Sequence, residues 1–427
     1  MPASNRTATI HTPARVPRSA AAPAAWRGAV ALAALLLLFL PVRAPAQTRE
    51  GLTTYSSLHY LIHTNLTRDE VRAIGAHMDL IFAEYQKRFS SFSSRRQAPF
   101  ELYLFRKQEQ YLAHMKACGI DAANSGGMFV YSERAKGLFT FVQGKSRAVT
   151  FETLQHEGFH QFAFDYIGPG LPVWVNEGLA QYFQDGLLIS GAMNLGLVNG
   201  TRLAAVKAGL KTTSAADFDR LIKMTDAQWA ATLITKPKES GLLYDQAWSV
   251  TFFLIHGDGG RYRPNFESFL TLLSKDLPPA EAFAQAFGSP DTSSFYKRWN
   301  AYIQALEPDA INLAVSRMEF LGQALRWLQE HNVTMPRNID ELRTILQHDG
   351  YKAWRTTHGI TFEFDARNNA FYEFPRPGGP GKFQFLEPGA PGLPPRLTAP
   401  GLKPAQPTLI FSRDPDGQLV QDVEFGP

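Results

Sequence analysis

Apolar positions recur along this chain in two rhythms. Over residues 67–89 they return every three or four residues, which predicts a long helix with one buried face. Thr67 and Glu70 supply a capping box at its start. Residues 58–63 and Phe100–Phe105 read instead as strands, and Gln108–Ala117 as a short helix. Residues 126–131 and 137–142 predict a strand pair, after which 150–165 returns to the helical period. A Gly-Pro-Gly loop leads to a second helix over 171–183, with Pro172 in its first turn. Residues 187–306 read as mostly helical, through segments 244–256, 265–273, 280–287 and 294–306. The expected fold class is α+β, with a mixed-sheet lobe and a helical second lobe that closes a cleft. The last strand of the first lobe is the expected edge on which an extended peptide would pair.

A separate accessory α+β module is expected over 309–427. Met318, Leu321, Leu325 and Leu328 mark one helical face, and Asn338 with Glu341 opens a short helix. Hairpins are expected over 361–374, around Asn368 and Asn369, and over 408–425, around Asp416 and Gly417. Between them, residues 375–407 are dense in Pro and Gly and read as an extended or disordered linker. At the other end, Arg27 precedes an apolar run over 29–40, too short to span a bilayer comfortably. Pro41 closes that run, and Ala44, Pro45 and Ala46 give a small-x-small cleavage pattern. Residues 1–46 therefore read as a signal peptide with a long basic leading region, and the chain as secreted or periplasmic. An uncleaved signal anchor is the alternative.

Charge narrows the field less than it first suggests. The formal net charge is +4, but residues 1–46 hold five arginines and no acid, which leaves 38 bases against 39 acids in the rest. That balance gives no electrostatic case for nucleic acid. Cys118 is the only cysteine, so no intrachain disulfide can form. The 44% hydrophobic content of 427 residues fits two or three globular domains, 47–306 being the first after the leader.

The chemistry concentrates in the 150–165 helix, which carries His156, Glu157 and His160 as H-E-x-x-H. Residues four apart on a helix stand one above the other, so both histidines can reach one zinc ion. Glu157 lies about 100° further round, beside the metal, where a general base would take a proton from water. Glu177, 17 residues past His160 on the second helix, is the next ligand candidate. Two His, one Glu and an open position form a hydrolytic zinc site. Asp165 falls on a different face. His256, just before Gly257, reads as a partner for a helix C-terminus.

His156-Glu157-Gly158-Phe159-His160 followed by Trp174-Val175-Asn176-Glu177-Gly178-Leu179-Ala180 resembles the gluzincin metallopeptidases. In particular it resembles the bacterial peptidase-MA-like secreted family. The resemblance implies a zincin-like fold over 47–306 and a zinc peptidase acting on peptide or protein substrates. It makes His156, His160 and Glu177 the zinc ligands and Glu157 the base. Four residues past Glu177, where thermolysin-like enzymes carry an Asp that steadies a ligand His, stands Gln181. The resemblance also points to Tyr244, at the expected start of a helix, as the donor to a developing oxyanion, with Tyr131 and Tyr182 as rivals. Phe129 and Val130 stand where aminopeptidase relatives carry an amine-binding acid, which favours cleavage within peptides. The competing readings are a non-catalytic envelope protein on the same scaffold and a zinc hydrolase of non-peptide bonds.

Overall fold

The computed structural model describes residues 51–426, apart from 95, 97, 124, 213–217, 236, 290, 358, 359 and 415. The expected signal peptide therefore lies outside the described residues. The first lobe is a five-stranded mixed sheet built from β1 (Thr53–Ser56), β2 (Tyr60–Thr64), β3 (Phe100–Phe105), β4 (Gly127–Tyr131) and β5 (Lys136–Phe141). Its spatial order is β1-β2-β3-β5-β4, with β2, β3 and β5 parallel and the outer strands antiparallel to their neighbours. Parallel pairing needs a crossover, and α1 (Arg68–Arg88) and α2 (Gln108–Ala117) lie in those connections. Alternation along the strands serves both faces: Ile62, Leu102, Leu104 and Leu138 join the main core, whereas Tyr103, Phe105, Phe139 and Phe141 pack with Tyr111 and Met115 of α2. Thr67 caps α1 in the capping box that its sequence predicts.

The strand expected to form the edge does not. β5 is interior, and β4, which precedes it in sequence, is the outer strand. A tight antiparallel pairing folds β5 back inside β4, so chain order and spatial order differ. The added strand β1 leaves less signal, because its burial alternates little and most of it is exposed.

Two helices follow, α3 (Arg147–Tyr166) and α4 (Val173–Gln184). Ser146 caps α3, its hydroxyl accepting from the Val149 N–H at 3.1 Å. Gly158 lets α3 sit close to α1: a Cβ there would stand 3.1 Å from Met78 Cε and 3.4 Å from Tyr85 Oη. A small hairpin, β6 (Leu187–Ile189) with β7 (Ala192–Asn194), interrupts the region expected to be helical. The second lobe then runs through α5 (Gly200–Lys211), α6 (Phe218–Lys223), α7 (Asp226–Thr235), α8 (Pro237–Gly260), α9 (Arg263–Leu273), α10 (Pro279–Phe287) and α11 (Ser293–Ala305). Tyr244 does not open a helix, as expected, but lies inside α8, which begins at Pro237. Pro is well tolerated in the first turn, so the helix starts further upstream than its apolar run.

The C-terminal module has its own core around α12 (Ala310–Glu330) and α13 (Ile339–His348). Its strands are β8 (Lys352–Thr357), β9 (Ile360–Asp365), β10 (Glu373–Phe374), β11 (Gly381–Lys382), β12 (Gln384–Leu386), β13 (Arg396–Thr398), β14 (Gln406–Arg413) and β15 (Leu419–Gly426). The β14–β15 hairpin matches the one expected around Asp416 and Gly417. The other is displaced: β8 pairs with β9, and Asn368 caps a single 3-10 turn by accepting from the Ala370 N–H at 3.1 Å. An asparagine cap and a hairpin turn use the same residue types, so Asn368 and Asn369 fit either. The 375–407 stretch is not an unstructured linker, since it supplies β11, β12 and β13 and buries Phe383, Leu397 and Leu402. Its prolines and glycines lie mostly between those short strands. Among the described residues, no helix is long and apolar enough to cross a membrane.

Candidate metal centre

α3 carries His156 and His160 on one face, with their rings nearly perpendicular and their Nε2 atoms 3.1 Å apart. α4 brings Glu177 against both: its Oε2 lies 3.4 Å from His156 Nε2 and 3.6 Å from His160 Nε2. What fixes α4 against α3 is Gln155, one residue before His156. Its side-chain nitrogen donates to the carbonyls of Phe183 at 2.6 Å, Gln184 at 3.2 Å and Gly186 at 3.1 Å, satisfying the end of α4. Its own carbonyl accepts from Tyr85 Oη at 2.6 Å, and its side-chain oxygen pairs with His77 Nε2 at 2.9 Å. On its other side α4 leans on α8 through Gly178, where a Cβ would come within 2.3 Å of Thr251 Oγ1 and 2.5 Å of the Ala247 carbonyl.

Each histidine is held from behind by an amide. His156 Nδ1 lies 2.9 Å from Gln184 Oε1, and His160 Nδ1 lies 3.0 Å from Asn176 Oδ1. An amide oxygen only accepts, so both Nδ1 atoms carry a proton, and both Nε2 atoms face Glu177. Gln181, four residues past Glu177, turns away to accept from Arg202. Arg202 also pairs with Asp185 and Asp245 in a buried network. Gln184, one turn further along α4, steadies His156 instead.

The residues fit a zinc ion on three counts. Ligand atoms at about 2.0–2.1 Å on a tetrahedral zinc stand roughly 3.3 Å apart, close to the three separations here. Glu177 Oε2 is buried and, among the described residues, has no hydrogen-bond partner. His156, His160 and Glu177 are also the one group of three or more potential ligands that converges among the described residues. Electrostatics agree. Burial works against charge on His160, but Glu177 beside it, with Glu157 and Asn176, lifts it to about 9. Burial likewise opposes charge on Glu177, yet the two imidazoles hold its carboxyl well below the usual range. The pocket favours positive charge between these groups.

Glu157 stands beside the triangle, where helix geometry puts it. Phe129 of β4 donates its N–H to Glu157 Oε2 at 2.8 Å, so the edge strand orients this carboxylate. Burial raises the Glu157 pKa and nearby Glu177 adds to that, while the histidines and the Phe129 N–H act against it. The open side of the site is a cleft of about 640 Å³. Tyr244 and Tyr131 both line it, as expected of oxyanion candidates. Burial, then Glu177 and Glu157, push the Tyr244 phenol far above its usual pKa, so it keeps its proton to donate. Tyr182 does not line the cleft and sits 3.2 Å from His256 Nε2.

A family model described as "Protein of unknown function (DUF1570)" matches residues 150–279. That span holds all four H-E-x-x-H and α4 residues together with Tyr244 and the helices of the cleft wall. No curated protein matches the chain.

Several neighbours escaped the sequence reading. Asn176 and Gln184 left a weak signal, each sharing a helix with Glu177. Asp226 and Trp229 of α7 reach the cleft by tertiary folding alone. His256 lies against the Tyr182 hydroxyl, and burial, reinforced by Arg263 and Arg88, pushes its pKa down to about 4. Asp165 does point elsewhere, accepting from Ser94.

Proposed function

We propose that this chain is an exported zinc-dependent peptidase on a zincin-like, gluzincin-type scaffold. The observation that carries the reading is the triangle of His156 Nε2, His160 Nε2 and Glu177 Oε2, sized for a tetrahedral ion and beside Glu157. When bound there, zinc would lower the pKa of a water towards about 7 and polarise the scissile carbonyl. Glu157 accepts the proton of the attacking water and passes it to the leaving amine. The Phe129 N–H holds one of its carboxylate oxygens in place, and the raised pKa of Glu157 suits a group that both takes and returns a proton. Gln184 and Asn176 keep the two imidazoles turned to the metal. Tyr244 donates to the oxygen on which negative charge develops. β4 borders the cleft, so an extended substrate can pair with its outer edge.

The test combines metal analysis with digestion of a broad peptide library by the zinc-loaded chain. Glu177→Ala should retain far less zinc, and unchanged occupancy would remove Glu177 from the ligand set. Glu157→Gln should keep its zinc and fold but lose hydrolysis, whereas parental turnover would overturn its role as base.

A further inference from the structure

The cleft holds an acid for which the proposed reaction has no use. Asp226 opens α7 and lines the cleft with Trp229 and Tyr244. An acid in the first turn of a helix is usually explained by capping or by the helix dipole. Here the cap is already filled: Gln228 donates its N–H to Thr225 Oγ1 at 3.3 Å, and Thr225 donates its own to Gln228 Oε1 at 3.0 Å. Asp226 takes no part in that box. Among the described residues it has no ion pair, and its side chain is exposed.

Its surroundings are unfavourable to it in the free protein. The cleft wall, among the described residues, includes Glu157 and Glu177 but no lysine or arginine. Lys145, the cation close to Glu157, donates instead to the Gly126 carbonyl at 2.6 Å and to Thr140 Oγ1 at 3.1 Å. Partial desolvation at the cleft wall and the neighbouring Glu177 raise the Asp226 carboxyl pKa. A zinc ion would be matched by Glu177 and its open position, and Glu157 is committed to the proton. Asp226 is left as negative charge facing the place where substrate lies.

We propose that Asp226 is a specificity-determining residue that binds a cationic nitrogen of the substrate, so that peptides bearing an arginine, lysine or free amine near the cleaved bond are preferred. This rests on the peptidase reading of the same cleft. A carboxylate paired with ammonium or guanidinium forms a charge-assisted hydrogen bond, the strong kind. Its loss typically lowers kcat/KM about 10-fold or more.

The experiment uses the zinc-loaded chain and matched peptides: arginine against citrulline, lysine against norleucine, and free against acetylated N-termini. Faster cleavage of the charged member of a pair supports the proposal, and the pair concerned tells side chain from amine. Asp226→Asn should erase that preference, bringing the charged and neutral members of each pair to equal kcat/KM. Asp226→Lys should turn the preference towards acidic peptides. No charge preference in the parent, or a preference that survives Asp226→Asn, overturns the role of Asp226 and leaves the peptidase reading standing. If no peptide is cleaved, that reading fails and binding decides about Asp226. Fluorescence anisotropy of the fluorescein-labelled arginine and citrulline peptides, with and without Asp226→Asn, then supports the role by discrimination and overturns it by equal affinities.

Discussion

At the scale of single residues, the site depends on how each group is held: Gln184 and Asn176 fix the imidazoles of His156 and His160, and the Phe129 N–H fixes Glu157. His156 and His160 share a helix face because they are four apart, and Glu157 follows from the same geometry. Glu177 needed only one turn of chain more. Gln184 could not be chosen over Gln181 from sequence, because both lie on α4 and only the direction of Arg202 shows which one is taken. Asp226 was out of reach, since nothing near it in sequence points to a cleft. Tyr244 was reached by resemblance rather than by pattern, and the structure brings it to the cleft while Tyr182 lies against His256. Tyr244→Phe removes one oxygen and little packing. Turnover should fall about 10²–10³-fold, the usual cost of losing an oxyanion donor, with zinc content and melting temperature unchanged. Parental turnover would pass the role to Tyr131, the other phenol of the cleft.

At the scale of elements, long periodic helices and bounded strands followed their patterns, and the failures came where one residue type serves two structures. Asn368 caps a 3-10 turn instead of making a hairpin, and the Pro- and Gly-rich stretch breaks short strands instead of dissolving them. β4 became the edge because pairing order is a property of the sheet and not of the chain. The packing of α4 against α8 is where an element sets the chemistry. Glu177 sits beside Gly178, and Gly178 is the point at which α4 touches α8. Gly178→Ala would press a methyl group 2.5 Å from the Ala247 carbonyl, which as backbone has little room to yield. Overpacking of this kind costs about 1–3 kcal/mol. The expected result is a lower melting temperature together with weaker zinc retention, as α4 shifts and carries Glu177 with it. Gly158→Ala is the control, because its nearest contact, the flexible end of Met78, can move aside. Equal effects of the two substitutions would show that α4 is not the sensitive element.

At the scale of the whole molecule, the C-terminal module is less separate than its composition suggests. Ile189 of β6, in the first part of the chain, belongs to the module's core, and Leu187 packs against it. Arg147, the first residue of α3, pairs with Asp422 at 2.6 Å and with Glu424 at 3.2 Å, both on β15. The Val198 N–H donates to Asp309 Oδ2 at 2.6 Å, tying the start of α12 to the loop before α5. The exposed pair with Glu424 contributes little by itself, about 0–1 kcal/mol, and the pair with Asp422 is partly buried. Burial of Ile189 matters more, since a fully buried aliphatic side chain contributes about 1.5–3 kcal/mol, and partly buried Leu187 adds to it. The aliphatic contacts lie on β6, directly after the end of α4 that Gln155 holds in place. Ending the chain at residue 308 should therefore do more than remove an appendage. The shortened protein should melt at a lower temperature, expose apolar surface to a dye such as ANS, and hold zinc less firmly because α4 loses its downstream support. A truncated chain with the parental melting temperature and zinc content would instead make the module an independent attachment. The intermediate variant Arg147→Ala, which breaks only the ion pairs, should stay close to the parent in both measurements.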